Sequence, residues 1–157
     1  MSEPIRLRIL KALTQHLEGI NPDTPDESYA YDFRGKVFRG KNLLGANDKR
    51  DLPALSIIES PNSDISKFTG EWNDFRHDNW TLLIMGLVRE DKLNPSDEAY
   101  IVADLVTKRL GRIIAIKDSG SGRAKYPTEF LLNGLITSLD IAPVIVRNPD
   151  DNVSSTA

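Results

Sequence analysis

The nine residues Trp80-Thr-Leu-Leu-Ile-Met-Gly-Leu-Val88 form the longest predominantly apolar run in the chain and contain no proline. In an extended backbone, successive side chains point to opposite faces. Trp80, Leu82, Ile84, Gly86 and Val88 then share one face, and Thr81, Leu83, Met85 and Leu87 share the other. A segment apolar on both faces reads as a strand covered on both sides, although periodicity alone leaves a buried helix open. The following residues decide for a strand: Arg89-Glu-Asp-Lys92 is a polar turn, and Asn94-Pro-Ser-Asp97 opens a helix. The expectation is a central strand with helices over one face and a second cover, such as another subunit, over the other.

At 157 residues the chain is long enough for one domain with a real core. Its 39% apolar and 27% charged residues are ordinary for a globular protein. A net charge of −3 gives no bulk polyelectrolyte argument for nucleic acid. The absence of cysteine excludes a disulfide scaffold, a thiolate metal site and a cysteine nucleophile. Met1-Ser-Glu-Pro4 lacks a basic region followed by an apolar stretch, so no signal peptide is expected. No apolar run approaches the roughly 20 residues that span a bilayer. The Asn152-Val-Ser154 sequon has no weight without secretion.

Glu3 and Pro4 suit the start of a helix, with Pro4 at its first position. Ile5, Ile9, Leu10, Leu13, Leu17 and Ile20 recur at helical spacing, and Gly19 is the expected C-terminal cap. His16 falls on the polar side and reads as a solvated histidine. A turn-rich acidic connector, Asn21–Glu27, leads to Ser28–Phe33, where Tyr29, Tyr31 and Phe33 alternate as on one face of an extended segment. From Arg34 to Arg50 stand six basic residues, Arg34, Lys36, Arg39, Lys41, Lys49 and Arg50, against Asp48. That balance fits a solvated loop or a surface for an acidic partner. Ala54–Glu59 reads as a short strand, followed by a long polar connection, Asp64–Asn79, that carries Phe68, Trp72 and Phe75. Exposed aromatics there suit a protein contact or pin the loop to its own domain.

Beyond the apolar strand, Asn94 suits an N-cap and Pro95 the first helical position. Ala99, Val102, Ala103, Val106, Leu110 and Ile113 form the apolar stripe of a second helix, with Tyr100, Asp104, Lys108 and Arg112 mostly off it. Lys117–Lys125 is glycine-rich, but its spacing and its position after a helix do not make a phosphate-binding loop. Leu131–Ala142 is expected as the last core strand, Val144–Val146 as an edge strand, and 147–157 as a flexible tail. The fold class is α+β: a small, mostly antiparallel sheet of about four strands with two amphipathic helices on one face, in a single domain over residues 1–146.

Catalytic constellations are thin. Asp74, His77 and Asp78 beside Glu71 are conceivable metal ligands, but they come from one polar loop. No serine or threonine sits in a nucleophile elbow, and Gly120-Ser-Gly122 is not that motif. No cofactor, metal or enzymatic activity is expected.

The order of an amphipathic helix, Tyr31-Asp-Phe33, Val37-Phe-Arg-Gly40, Leu52-Pro-Ala-Leu-Ser-Ile-Ile-Glu59, Trp80…Ile84-Met-Gly86, a helix and a final strand resembles the tail terminator (tail completion) proteins of tailed bacteriophages. The resemblance spans about Ile5 to Ile141 and is one of pattern, with no diagnostic motif. It implies a virion protein, assembled in the bacterial cytoplasm, whose copies form a homo-oligomeric, hexameric ring on the tail tube. Such a ring ends tube polymerisation and offers a surface to the neck or connector protein. In contractile tails it also meets the sheath protein, and DNA passes transiently through its lumen. Under that resemblance, Arg34, Lys36, Arg39, Lys41, Lys49, Arg50, Phe68, Trp72, Phe75, Arg123 and Lys125 are candidate contacts to tube or neighbouring subunit. Another neck component, an adaptor or head-closure protein, is the nearest alternative. A small nucleic-acid-binding module stacking bases on Tyr29, Tyr31 and Phe33 is the alternative of a different class. A metal-dependent hydrolase ranks last.

Overall fold

The computed structural model describes residues 2–25, 27–41, 52–59, 80–89, 93–117 and 120–147. They fold as α+β, in the order α1 (Ile5–Glu18), β1 (Val37–Arg39), β2 (Ala54–Glu59), β3 (Leu82–Leu87), α2 (Asp97–Gly111) and a short third helical segment α3 (Leu131–Gly134).

Helix α1 follows its apolar spacing. Leu13, Leu17 and Ile20 are buried, Ile9 and Leu10 are half-buried, and Gly19 caps the end as expected. Pro4 is the N-cap rather than the first helical residue; its extended ψ of 140° aims its carbonyl at the N–H of Arg8, 3.1 Å away. The first turn projects past the core, which leaves Ile5 half-exposed. There the Arg6 guanidinium lies 5.0 Å over the Trp80 ring. Helix α2 buries the whole expected stripe from Ala99 to Leu110, with Ile113 just beyond its end. Its N-cap is Ser96, not Asn94, whose carbonyl instead accepts from the Asp97 N–H in the preceding turn.

The sheet has the order β1-β2-β3 among the described strands. β2 is therefore central, and the Trp80–Val88 run supplies a flanking strand, β3. β2 and β3 pair antiparallel from Ala54↔Leu87 to Glu59↔Leu82, whereas β1 runs parallel to β2 with Val37 opposite Leu55. Among the described strands the sheet is mixed. Parallel neighbours need a long crossover instead of a hairpin, and residues 40–53 supply a connection of that length. The predicted division of faces holds. Leu82, Ile84 and Val88 join Val37, Leu55 and Ile57 in the main core with both long helices; Met85 and Leu87 join Phe38, Leu52 and Ala54 in a separate cluster.

Two expected strands take other forms. Tyr29, Tyr31 and Phe33 do turn toward the main core, but the segment pairs with no described strand. Its Phe33 N–H instead donates to the Ile20 carbonyl at 3.0 Å. Leu131–Gly134 forms a turn of left-handed sense, with φ of 50°, 51°, 57° and 82° in succession. Each non-glycine residue held there costs about 1–2 kcal/mol. Asn133-Gly134 is a dipeptide that tolerates this geometry, and it overrides the strand pattern of the flanking leucines. Residues 135–146 join no ladder among the described residues, so neither Leu131–Ala142 nor Val144–Val146 is a strand. Of the expected tail, all but Arg147 lies outside the described residues.

Candidate functional site

The described chain gathers its buried ionisable groups where the C-terminal end of α1 meets the second half of α2. Gly19 makes the approach possible. A Cβ at that position would stand 2.0 Å from Arg109 Nη2 and 2.7 Å from its Cζ. Its φ of −65° is ordinary, so the requirement is for space and not for conformation. Gly19→Ala is therefore expected to cost about 1–3 kcal/mol by displacing the guanidinium. Gly111→Ala, which meets no atom within 4 Å, should stabilise by about 0.4–1 kcal/mol. Urea unfolding of both variants checks the opposite signs.

Helices α1 and α2 exchange a reciprocal pair of hydrogen bonds here. Arg109 Nε donates to the His16 carbonyl at 2.8 Å, and His16 Nε2 lies 2.6 Å from the Arg109 carbonyl. A carbonyl only accepts, so Nε2 carries the proton of the neutral ring. Glu129, in the turn that follows Tyr126, closes the cluster. Its carboxylate accepts from Arg112 Nε and Nη2, the latter at 2.7 Å, and lies 3.2 Å from Arg109 Nη2 and 3.5 Å from His16 Nδ1. Arg112 also lies 3.7 Å over the Tyr126 ring, with its Nη1 3.7 Å from Glu27, which accepts from the Tyr29 hydroxyl. Arg109 Nη1 is buried and has no hydrogen-bond partner among the described residues.

Burial pushes the His16 pKa below its usual 6.5; the hydrogen bond to the Arg109 carbonyl opposes this, and the Arg109 charge reinforces it. Burial pushes Glu129 the other way, but hydrogen bonds from Arg112 and the charges of Arg109 and Arg112 prevail and hold its pKa below 4.5. Both shifts have one sign in the linkage: the unfolded chain binds more protons than the folded one. The His16 contribution is complete above about pH 6.5 and is lost as pH falls toward the folded value; that of Glu129 follows below about 4.5. Stability should thus fall between pH 7.5 and 5.5 (values at which unfolding by urea is to be compared), and His16→Gln should flatten that interval.

This cluster behaves as a clamp. Both Glu129 oxygens face cations, His16 is held neutral with its proton committed to a carbonyl, and no hydroxyl nucleophile contacts either group among the described residues. Nor do the described residues hold three metal-ligating side chains together. The solvated histidine of the sequence reading is in fact 7% exposed, and Arg112, expected off the stripe, is equally buried. A signal was present: Val102, Val106, Arg109 and Ile113 lie at helical spacing, as do Leu13, His16 and Ile20.

The candidate contact residues fall into two described groups. Around β1, Arg34 is exposed but bound to Asp32 and Asp23, and its guanidinium draws the Asp32 carboxyl down to about 2. Arg39 is exposed and donates to Thr14 Oγ1 on α1 at 3.1 Å; Lys41 lies 4.2 Å over the Phe38 ring, and Lys36 is half-buried. Arg123 and Lys125 stand exposed on a small hairpin closed by the Ile116↔Ala124 bridge, with Gly122 at φ +62° in its turn. Lys49, Arg50, Phe68, Trp72 and Phe75 lie outside the described residues, as do Glu71, Asp74, His77 and Asp78. No family model matches the chain, and no curated protein matches it. Tyr29 and Phe33 are buried, which deprives a base-stacking module of its aromatic platform.

Proposed function

We propose that this protein is a structural, non-enzymatic virion subunit of the tail terminator kind. Copies of it form a ring, hexameric by resemblance, that caps a phage tail tube and receives the neck. The observation that carries the reading is the second apolar face of the sheet. Helices occupy the Leu55 and Ile57 side; on the other, Ala54 and Leu87 are already buried, whereas Phe38 and Met85 are half-buried and Leu83 stands 49% exposed along β3. A closed ring needs two different patches on each subunit. This face serves as one, and the cations around β1 offer a polar rim for the tube protein. A mostly antiparallel sheet of about four strands with two helices on one face is the finer fold that belongs to this proposal. The neck protein, the sheath of a contractile tail and DNA in passage complete its partners.

The test is the mass of the purified chain, alone and with tail tubes, by light scattering and electron microscopy. A six-copy ring, or a cap at one tube end, supports the reading. Arg39→Glu with Lys41→Glu should then weaken docking to the tube while leaving ring formation intact. A monomer that ignores tubes removes the proposal; if it also shifts single-stranded DNA at low salt, it is a nucleic-acid module instead.

A further inference from the structure

Beyond Ile136, the segment that follows the left-handed turn meets the other described residues through its side chains. Among the described residues, 137–146 make no backbone hydrogen bond and join no ladder. Leu139, Ile141 and Val146 nevertheless rest on the main core. Val144 borders a cavity of about 40 Å³ between sheet and α2, whose other walls are Leu55, Ile84, Gly86, Val102, Ala103 and Val106. The lining is predominantly apolar and the strap leaves part of it unfilled. Val144 stays 46% exposed and Ile145 77%.

We propose that residues 137–146 are an exchange strap. When copies assemble, the strap of one subunit swings about Leu131–Gly134 and occupies, on its neighbour, the groove it covers at home. This rests on the ring-forming reading above. Symmetry and three observations point to a second copy as the groove's alternative occupant. Every copy carries the same groove, so a neighbour's strap fits by construction, and exchange of identical elements is a low-cost route to assembly. Leaving home breaks no backbone hydrogen bond to the described residues. The turn at its base holds two leucines and an asparagine at positive φ, a geometry that an opened chain need not keep. Finally, the twelve residues 135–146 reach about 40 Å when extended, enough to cross a subunit boundary. Passed head-to-tail, the strap makes a heterologous contact that closes into a ring.

The chain has no cysteine, so an engineered pair supplies its only thiols. Ala103→Cys with Val144→Cys places both on the walls of one cavity. The variant is oxidised as dilute monomer and as ring, then run on a denaturing gel. Exchange predicts a monomer band from the dilute sample and a ladder of covalent oligomers from the ring. Rings that yield only the internally linked monomer overturn the exchange and leave the ring reading standing. Protein that forms no ring, alone or on tubes, removes both. Failure to cross-link in either state overturns the seat assigned to Val144. If the first pair impairs folding, Ile84→Cys with Val144→Cys probes the same cavity from the sheet.

Discussion

Replacing Glu129 with alanine is expected to lower the free energy of unfolding by about 3 kcal/mol and the thermal midpoint by about 6–12 °C. The substitution leaves two guanidiniums, Arg109 and Arg112, in a site where each side chain is 8% exposed. Glu27 also lies 3.7 Å from Arg112, but it is half-exposed and a weaker counter-charge. Removing one partner of a buried pair costs about 3–5 kcal/mol, and the lower figure applies because Glu129 itself is one-fifth exposed. Distance alone would not predict this. Lys108 and Asp104 also meet at 2.7 Å, but on the outer face of α2 with both side chains more than half exposed. Asp104→Ala should cost no more than about 0.5 kcal/mol. Chemical unfolding of both variants at neutral pH measures the contrast, and equal losses would refute the clamp. Glu129→Gln, which keeps an acceptor and loses the charge, should fall between them.

That contrast explains why the clamp escaped the sequence. The helical spacing of Ile9, Leu13, Leu17 and of Ala99 through Ile113 identified both helices, because apolar burial writes itself into sequence as periodicity. A buried charge writes the opposite sign at the same positions. Arg109 and His16 sit within the apolar stripes, but their polarity marks them as surface residues until Glu129, far along the chain, is seen between them. Charge neutralisation across the fold is tertiary information. The same holds for Arg34: the sequence counts it among free cations, whereas the fold returns Asp32 and Asp23 to it.

The sheet was legible in part. Ala54–Glu59 and Leu82–Leu87 were visible as β-branched and apolar runs, and the two faces of β3 divided as alternation requires. Strand order was not legible, since an apolar run reports burial and not which neighbour supplies it. Parallel pairing of β1 was likewise hidden, because register depends on partners. Leu131–Ile141 misled for a different reason. Its leucines and isoleucines are buried by resting on the core as an irregular segment, and only Asn133-Gly134 marked the break.

Phe33→Ala should be the largest single loss in the described core, about 3–5 kcal/mol. The ring is fully buried and stacks on Tyr31 at a centroid distance of 6.3 Å, and the backbone around it is fixed at both ends. Its N–H donates to the Ile20 carbonyl, and its carbonyl accepts from the Lys36 N–H, each at 3.0 Å. The residue thus joins the end of α1 to the start of β1, and neither side can close readily over a missing ring. Because the segment pairs with no described strand, its attachment depends largely on what its side chains bury, and Phe33 is the largest fully buried one in the described chain. Phe33→Leu, which nearly conserves volume, should lose less than about 1.5 kcal/mol. Calorimetry or urea unfolding of the two variants separates volume from identity. An alanine variant within about 1 kcal/mol of the parent would mean that the aromatic segment is docked from outside; a loss near the full cavity cost would make it the plug between helix and sheet.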